Sequence, residues 1–349
     1  MHKVVTGYLV LFIFILYIFS SCHPGKKGIF GTKKSAHSRY AESLEKAGLK
    51  HTAMVIKWQL AAQKSLAEPI PVTIPHKEAG YFSADDPRAA GYRLTLQQGV
   101  NLEVSLDVVS STPKTVFLEL WKTDTAFREQ DLLAESDSTS HLLYEVEDDG
   151  LYIIRIQPEL LASMEFTLTV TKQASLAFPV SEIGKPTMIS FWNDKRDAGR
   201  NHEGVDISAP FRTPAIAAAN GYIRNVTENR LGGKVIFLRP EGKNYSLYYA
   251  HLDTQLVSPG QTVMKGQPVG LVGNTGNAIN TTPHLHFGIY TRGGAVDPLP
   301  FIDNRIVQPK NITASRSNLN KWVRAIKNTK VFELIDAPAD TSLSIQRGT

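Results

Sequence analysis

Residues 281–290 read TTPHLHFGIY, two histidines one residue apart directly behind a proline. Pro283 biases its predecessor toward extended geometry, and HLHFGIY after it is β-compatible at nearly every position. On a strand, successive side chains point to opposite faces. Leu285, Phe287 and Ile289 then share one face, an apolar stripe suited to a core, while His284, His286, Gly288 and Tyr290 share the other. The two imidazoles stand about 7 Å apart on that polar face, from the rise per residue, so both can serve one reaction centre. This predicts a β fold in which one side of a strand is packing and the other is chemistry.

The flanking sequence extends the pattern. GGKVIFLRP (232–240), NYSLYYAHL (244–252) and QPVGLVG (267–273) read as further strands between glycine-rich turns, so residues 181–303 form an all-β unit with an antiparallel sheet. The chain has ten histidines, and those of this unit are His202, His251, His284 and His286. NHEGVDISAP (201–210) spaces His202 and Asp206 four apart, on one face of a helix or of a strand, with Gly204 favouring strand or loop. An imidazole and a carboxylate suit Zn²⁺, which in catalytic sites takes three protein ligands and keeps a position for water. His202, Asp206 and one of His284 and His286 would complete such a set. Alternation through YYAHLD puts Tyr245, Leu247, Tyr249 and His251 on one face, and leaves His251 as a further imidazole for acid–base work.

NHEGVDISAP, YYAHLD and GQPVGLVGNTGNAINTTPHLHFGIY together resemble the lysostaphin-type (LytM-type) zinc endopeptidases that cut peptidoglycan peptides. The resemblance covers roughly residues 185–303, about a third of the chain. It implies that His202, Asp206 and His286 hold one zinc ion per chain, and that His251 and His284 activate water and steady the developing oxyanion. The sequence departs from the family's usual pattern at Thr282 and Gly288, neither of them among those five. Some members of the family lose zinc ligands and instead bind and activate cell-wall amidases. That non-catalytic regulator is the alternative reading, and here all five positions are filled.

Upstream, residues 70–178 alternate with period two in YRLTLQ, NLEVSLDVV, TVFLELW, LYIIRIQ and EFTLTV, each bounded by turn residues. They predict a β-sandwich, and DDGLYIIRIQP resembles the last hairpins of jelly-roll modules found beside secreted bacterial peptidases. It carries no catalytic constellation, so a spacing or substrate-positioning accessory domain is expected. Residues 38–67 read as a helical segment in two pieces, the first starting at a serine and ending at Gly48, the second carrying Met54, Trp58, Ala61, Ala62 and Leu66 on one face. The tail, 304–349, has one helical stretch in LNKWVRAIK (319–327) and no assigned role. The fold class is therefore mainly β with N-terminal helices.

The N-terminus points to export. A basic start precedes an unbroken apolar run, Tyr8 to Phe19, which as a helix rises only about 18 Å against a bilayer core of roughly 30 Å. This is a signal-peptide core, and FSSC (19–22) resembles a bacterial lipobox. Residues 1–22 are thus expected to be a lipoprotein signal peptide with Cys22, the only cysteine, as the lipidated residue. Residues 23–37 continue as a flexible basic tether. A lipid membrane and a peptidoglycan peptide are the expected partners, in the periplasm-facing envelope of a Gram-negative bacterium, with the anchor in its outer membrane. The net charge of +5 comes without a basic helix or aromatic–basic motif, so nucleic acid is not an expected partner. In such an envelope the cross-link joins D-alanine to a diaminopimelate residue, which makes a DD-endopeptidase the first expectation.

Overall fold

The computed structural model of the chain describes residues 34–136, 140–196, 199–319, 329–331 and 343–345. The apolar run and Cys22 lie outside the described residues, as does the expected tail helix beyond Leu319. Among the described residues no helix is long and apolar enough to cross a membrane.

The described chain opens with two helices, α1 (Ala36–Lys46) and α2 (Ala53–Ala67). Ser35, not Ser38, caps α1: its Oγ accepts the Ser38 backbone N–H at 3.0 Å, and so satisfies one of the orphan donors of the first turn. Gly48 ends the helix in the left-handed region at φ 75°, where only glycine is free of a Cβ penalty. In α2 the buried positions are Val55, Trp58, Ala62, Ser65 and Leu66. The face expected from Met54 and Ala61 is therefore rotated, and those two lie half-buried at its margin.

Nine strands come next: β1 (Ile70–Pro71), β2 (His76–Phe82), β3 (Ala90–Leu96), β4 (Val100–Val109), β5 (Val116–Thr123), β6 (Gln130–Ser136), β7 (His141–Glu145), β8 (Gly150–Pro158) and β9 (Met164–Ala174). They form two sheets, β1-β3-β8-β5-β6 and β2-β9-β4-β7, antiparallel except for the short β1–β3 pairing. One core lies between them. Strand β4 shows the expected parity, with Val100, Leu102, Val104 and Leu106 buried and Asn101, Glu103 and Ser105 turned away.

Strand β8 is buried on both faces, because the helices cover the outer side of its sheet. Ile154 and Ile156 enter the sandwich core, while Ile153, Arg155 and Gln157 are buried on the other face. There the Trp58 indole N–H donates to the Pro158 carbonyl at 2.8 Å, and the ring stacks on His37 at 4.5 Å and 14°. His37 Nε2 bonds Gln157 Oε1 at 2.6 Å, and Arg155 Nε donates to Glu119 Oε2 at 2.6 Å. Burial, with the Arg155 charge nearby, pushes the His37 imidazolium below its ordinary range, so this contact is made by the neutral ring. Gly91 on β3 lets the helix approach, since a Cβ there would stand 1.8 Å from the Ser65 carbonyl oxygen. A tryptophan buried as Trp58 is contributes roughly 3–5 kcal/mol.

The second β region runs from β10 (Thr187–Ser190) through β11 (Val205–Ser208), β12 (Pro214–Ile216), β13 (Gly221–Asn229), β14 (Gly233–Pro240), β15 (Ser246–Gln255), β16 (Thr262–Val263), β17 (Pro268–Val272) and β18 (His284–Thr291) to β19 (Gly294–Val296). A short helix, α3 (Leu299–Ile302), ends it, and β20 (Thr329–Val331) pairs with β21 (Leu343–Ile345) further on. The main sheet has the order β10-β11-β18-β15-β14-β13-β16. Its core includes Val205, Ile207, Leu247, Tyr249, Leu285, Phe287 and Ile289, all at 0% exposure. The two β regions meet through α3 and β14–β15. Phe301 packs where a Cβ on Gly99 would come within 2.3 Å of its ring, and its carbonyl accepts the Leu176 N–H at 2.8 Å. Lys243 pairs with Glu145 across the same boundary.

Candidate metal centre

Strand β18 sits between β11 and β15, and His286 is the residue both neighbours address. Its Cα partners are Asp206 on β11 and Ala250 on β15. Directly opposed residues of an antiparallel pair present their side chains on the same face, so register alone carries Asp206 to His286. His202 arrives from the loop before β11. That loop crosses close over His286 at Gly204, where a Cβ would stand 2.7 Å from His286 Cε1 and 2.6 Å from the Phe287 carbonyl oxygen. The parity expected for the strand holds: Leu285, Phe287 and Ile289 are in the core, and the two histidines face away from it into a groove.

Three side-chain atoms converge. His202 Nε2 lies 3.0 Å from Asp206 Oδ1 and 2.9 Å from His286 Nδ1, and His286 Nδ1 lies 2.9 Å from Asp206 Oδ1. His202 Nδ1 is 2.8 Å from the Phe191 carbonyl oxygen. A carbonyl only accepts, so in the neutral ring the proton is on Nδ1, and Nε2 presents a lone pair to the carboxylate. His286 Nδ1 has at most one proton to offer to both neighbours. An acceptor-rich triangle of this size is unfavourable by itself and favourable around a cation. Two nitrogens and one oxygen are the donor set of a catalytic zinc site, and these are the residues that could hold such an ion. Burial works against ionisation of Asp206, but the neighbouring His202 and His286 hold its carboxyl well below the usual carboxylate range.

His251 reaches the centre by a route that alternation does not foresee. Tyr245, Leu247 and Tyr249 are in the core, and strict parity would send His251 after them. Instead the ladder with β14 slips: Tyr249 opposes Ile236, but Leu252 opposes Lys234, so Ala250 and His251 together face Val235. At this bulge His251 adopts φ 60°, and its N–H donates to the Gly232 carbonyl at 2.7 Å. The extra residue re-aims the side chain, and histidine is among the residues that enter the left-handed region most readily. The expected shared face of Tyr245, Leu247, Tyr249 and His251 is thus corrected: His251 lines the groove with Tyr248 and Ala250.

The outer pair is held alike. His251 Nδ1 donates to the Thr275 carbonyl at 2.9 Å and His284 Nδ1 to the Thr282 carbonyl at 2.8 Å, which leaves each Nε2 as an acceptor. Their ring centroids are 5.0 Å apart, and His251 is 5.9 Å from His286. Burial pushes the His251 imidazolium down to about 4, with the neighbouring His284 and His286 adding to the shift. The groove has a volume of about 840 Å³. Among the described residues its lining runs from Ile189 to Tyr290 and includes none from the sandwich or the helices.

Several residues of the site carry no sequence signal. Phe191 contributes only a carbonyl, which no side-chain pattern reveals. Ser190 ends the four-residue β10, and Arg196, which also lines the groove, comes from the loop after it, without periodicity. Tyr248 faces the groove by plain alternation, on the side opposite core Leu247 and Tyr249, and has no motif of its own.

Residues 200–298, a span that contains His202, Asp206, His251, His284 and His286, match the family described as Peptidase family M23. The chain is 46% identical over 101 residues to an uncharacterized metalloprotease of Haemophilus influenzae, covering 29% of this chain and 21% of that protein. It is 36% identical over 113 residues to the uncharacterized lipoprotein YgeR of Escherichia coli, covering 32% and 44%. It is 35% identical over 98 residues to the peptidoglycan DD-endopeptidase ShyA of Vibrio cholerae, covering 28% and 22%. The chain thus spans less than half the length of these relatives. Among solved structures it is similar to the catalytic domain of lysostaphin from Staphylococcus simulans, at 28% identity and a TM-score of 0.33, covering 36% of this chain and 98% of that one.

Proposed function

We propose that this chain, whose residues 200–298 match Peptidase family M23, is a zinc-dependent endopeptidase that cuts the cross-linking peptides of peptidoglycan. The observation that carries the reading is the convergence of His202 Nε2, Asp206 Oδ1 and His286 Nδ1 within 3.0 Å of one another. Bound there, zinc would supply Lewis acidity and acidify a water molecule. His251 and His284 present unprotonated Nε2 atoms beside the centre. They take a proton from the attacking water and return it to the leaving amine, the acid–base work expected of positioned imidazoles. The Thr275 and Thr282 carbonyls fix the tautomer of each ring, so neither has to reorient. A groove of about 840 Å³ suits an extended peptide substrate embedded in a polymer.

The cut bond in this reading is the D-alanine to diaminopimelate cross-link. ShyA bears the name of a peptidoglycan DD-endopeptidase, and DD-endopeptidase activity is our reading for this chain as well. Residues 181–303 are the peptidase unit, 70–178 an accessory sandwich that spaces it, and the tether expected over 23–37 ends before Ser35, where α1 is capped. The complete set of five histidine and aspartate positions favours the enzyme over a non-catalytic regulator of amidases.

Purified full-length chain is expected to hold about one zinc and, on incubation with purified sacculi, to convert cross-linked muropeptide dimers into monomers. A preparation that binds no metal and leaves the muropeptide profile unchanged would sink the proposal. For the anchor, Cys22→Ser is expected to abolish incorporation of labelled palmitate in cells, and undiminished labelling would remove Cys22 from that role.

A further inference from the structure

We propose that Arg196 is a positioning residue that restricts Asp206 to a single metal-facing oxygen, an inference resting on the metal reading above. The two carboxylate oxygens of Asp206 have separate partners. Oδ1 faces His202 and His286, while Oδ2 accepts from Arg196 Nη2 at 2.5 Å. The same Nη2 donates to Ser190 Oγ at 2.8 Å. Ser190 Oγ in turn donates to Asp194 Oδ2 at 2.7 Å, which also accepts the Phe191 N–H at 2.8 Å.

The backbone pairs the residues that bear these groups. Arg196 N–H donates to the Arg200 carbonyl at 2.9 Å, and His202 N–H to the Asp194 carbonyl at 2.8 Å. Lys195 bridges to Asn201, and its Nζ donates to Asn201 Oδ1 at 3.0 Å. Backbone pairing therefore ties the His202 ligand to the guanidinium that holds Asp206.

A carboxylate's terminal torsion is broad and roughly two-fold, so an unrestrained Asp206 can turn side-on and offer both oxygens. With Oδ2 held by Arg196, that turn would bend or break the ion-paired hydrogen bond and is disfavoured. An exposed ion pair would be worth little, but the Asp206 side chain is only 11% exposed and that of Arg196 35%. The charge of Arg196 and its orienting effect act in opposite directions on a cation. Removing the guanidinium takes away a repulsion and also loosens a ligand. Metal affinity is thus a poor readout, and coordination number is the right one.

The test uses the full chain loaded with Co²⁺ in place of zinc, read by visible absorption. Three protein ligands and water give four-coordinate Co²⁺ with intense bands, and added ligands weaken them. Arg196→Ala is expected to lower the band intensity severalfold as Asp206 becomes bidentate. Arg196→Lys, which keeps a donor but not the fork, is expected to lower it less, and it serves if the alanine variant does not fold. A spectrum in both variants that matches the unsubstituted chain overturns the positioning role and leaves the metal reading intact. An unsubstituted chain that takes up no cobalt overturns both.

Discussion

Replacing His286 with alanine is expected to empty the metal site and abolish cleavage of sacculi. His286 is the residue to which Asp206 and Ala250 are both registered, and its Nδ1 stands 2.9 Å from each of the other two candidate ligand atoms. Its loss leaves two protein donors where a catalytic zinc takes three. Loss of an outer partner to a ligand already costs about 10–100-fold in metal affinity, and loss of the ligand itself should exceed that. The fold should persist, because the packing of β18 is carried by Leu285, Phe287 and Ile289 on the opposite face. The comparison that sharpens the claim is His284→Ala, two residues away on the same face, which should stay loaded and turn over slowly. Metal content after dialysis, measured beside muropeptide release, checks both. Stoichiometric zinc in His286→Ala would remove that residue from the ligand set.

The second large effect belongs to His251. Substitution by asparagine is expected to keep the metal and lower kcat by about 10²–10⁴-fold, the usual worth of a positioned acid–base group. Asparagine is the informative choice because His251 sits at φ 60°. Asparagine tolerates that conformation, so the variant removes the imidazole while sparing the bulge. A valine would confound the two, since a β-branched residue is a true outlier there. Equal metal content with a kcat within about tenfold of the parent chain, well short of that range, would exclude His251 from proton transfer.

Sequence legibility followed the range of the interaction that fixes each feature. The parity of β18 and the alternation of β4 are local, and both read correctly. The gathering of His202, Asp206, His251, His284 and His286 around one groove is what spacing and resemblance both pointed to, while the roles assigned to each come from the resemblance. The orientation of His251 was not, since it depends on a slipped register with Lys234 and Ile236, a non-local event with no mark in YYAHLD. Arg196 was missed for a related reason: its partner Asp206 lies ten residues on across an aperiodic loop. The start of α1 moved from Ser38 to Ser35 because either serine can cap, and the choice is made by which hydroxyl meets a free N–H. The two-sided burial of β8 could not be inferred from LYIIRIQ either, whose alternation also fits a strand with one wet face.

That same strand sets an order of events during folding. The contacts that dock the helices pair residues far apart in sequence: Trp58 with Pro158 are 100 positions apart, and His37 with Gln157 are 120 apart. The helices precede β8 on a ribosome, yet their apolar faces have no surface to cover until β8 has joined its sheet. Closing so long a loop carries an entropic cost that the late-formed contacts must offset. The first described segment to be synthesised is therefore among the last to find its place, and until then Trp58 and the Arg155–Glu119 pair are open to water.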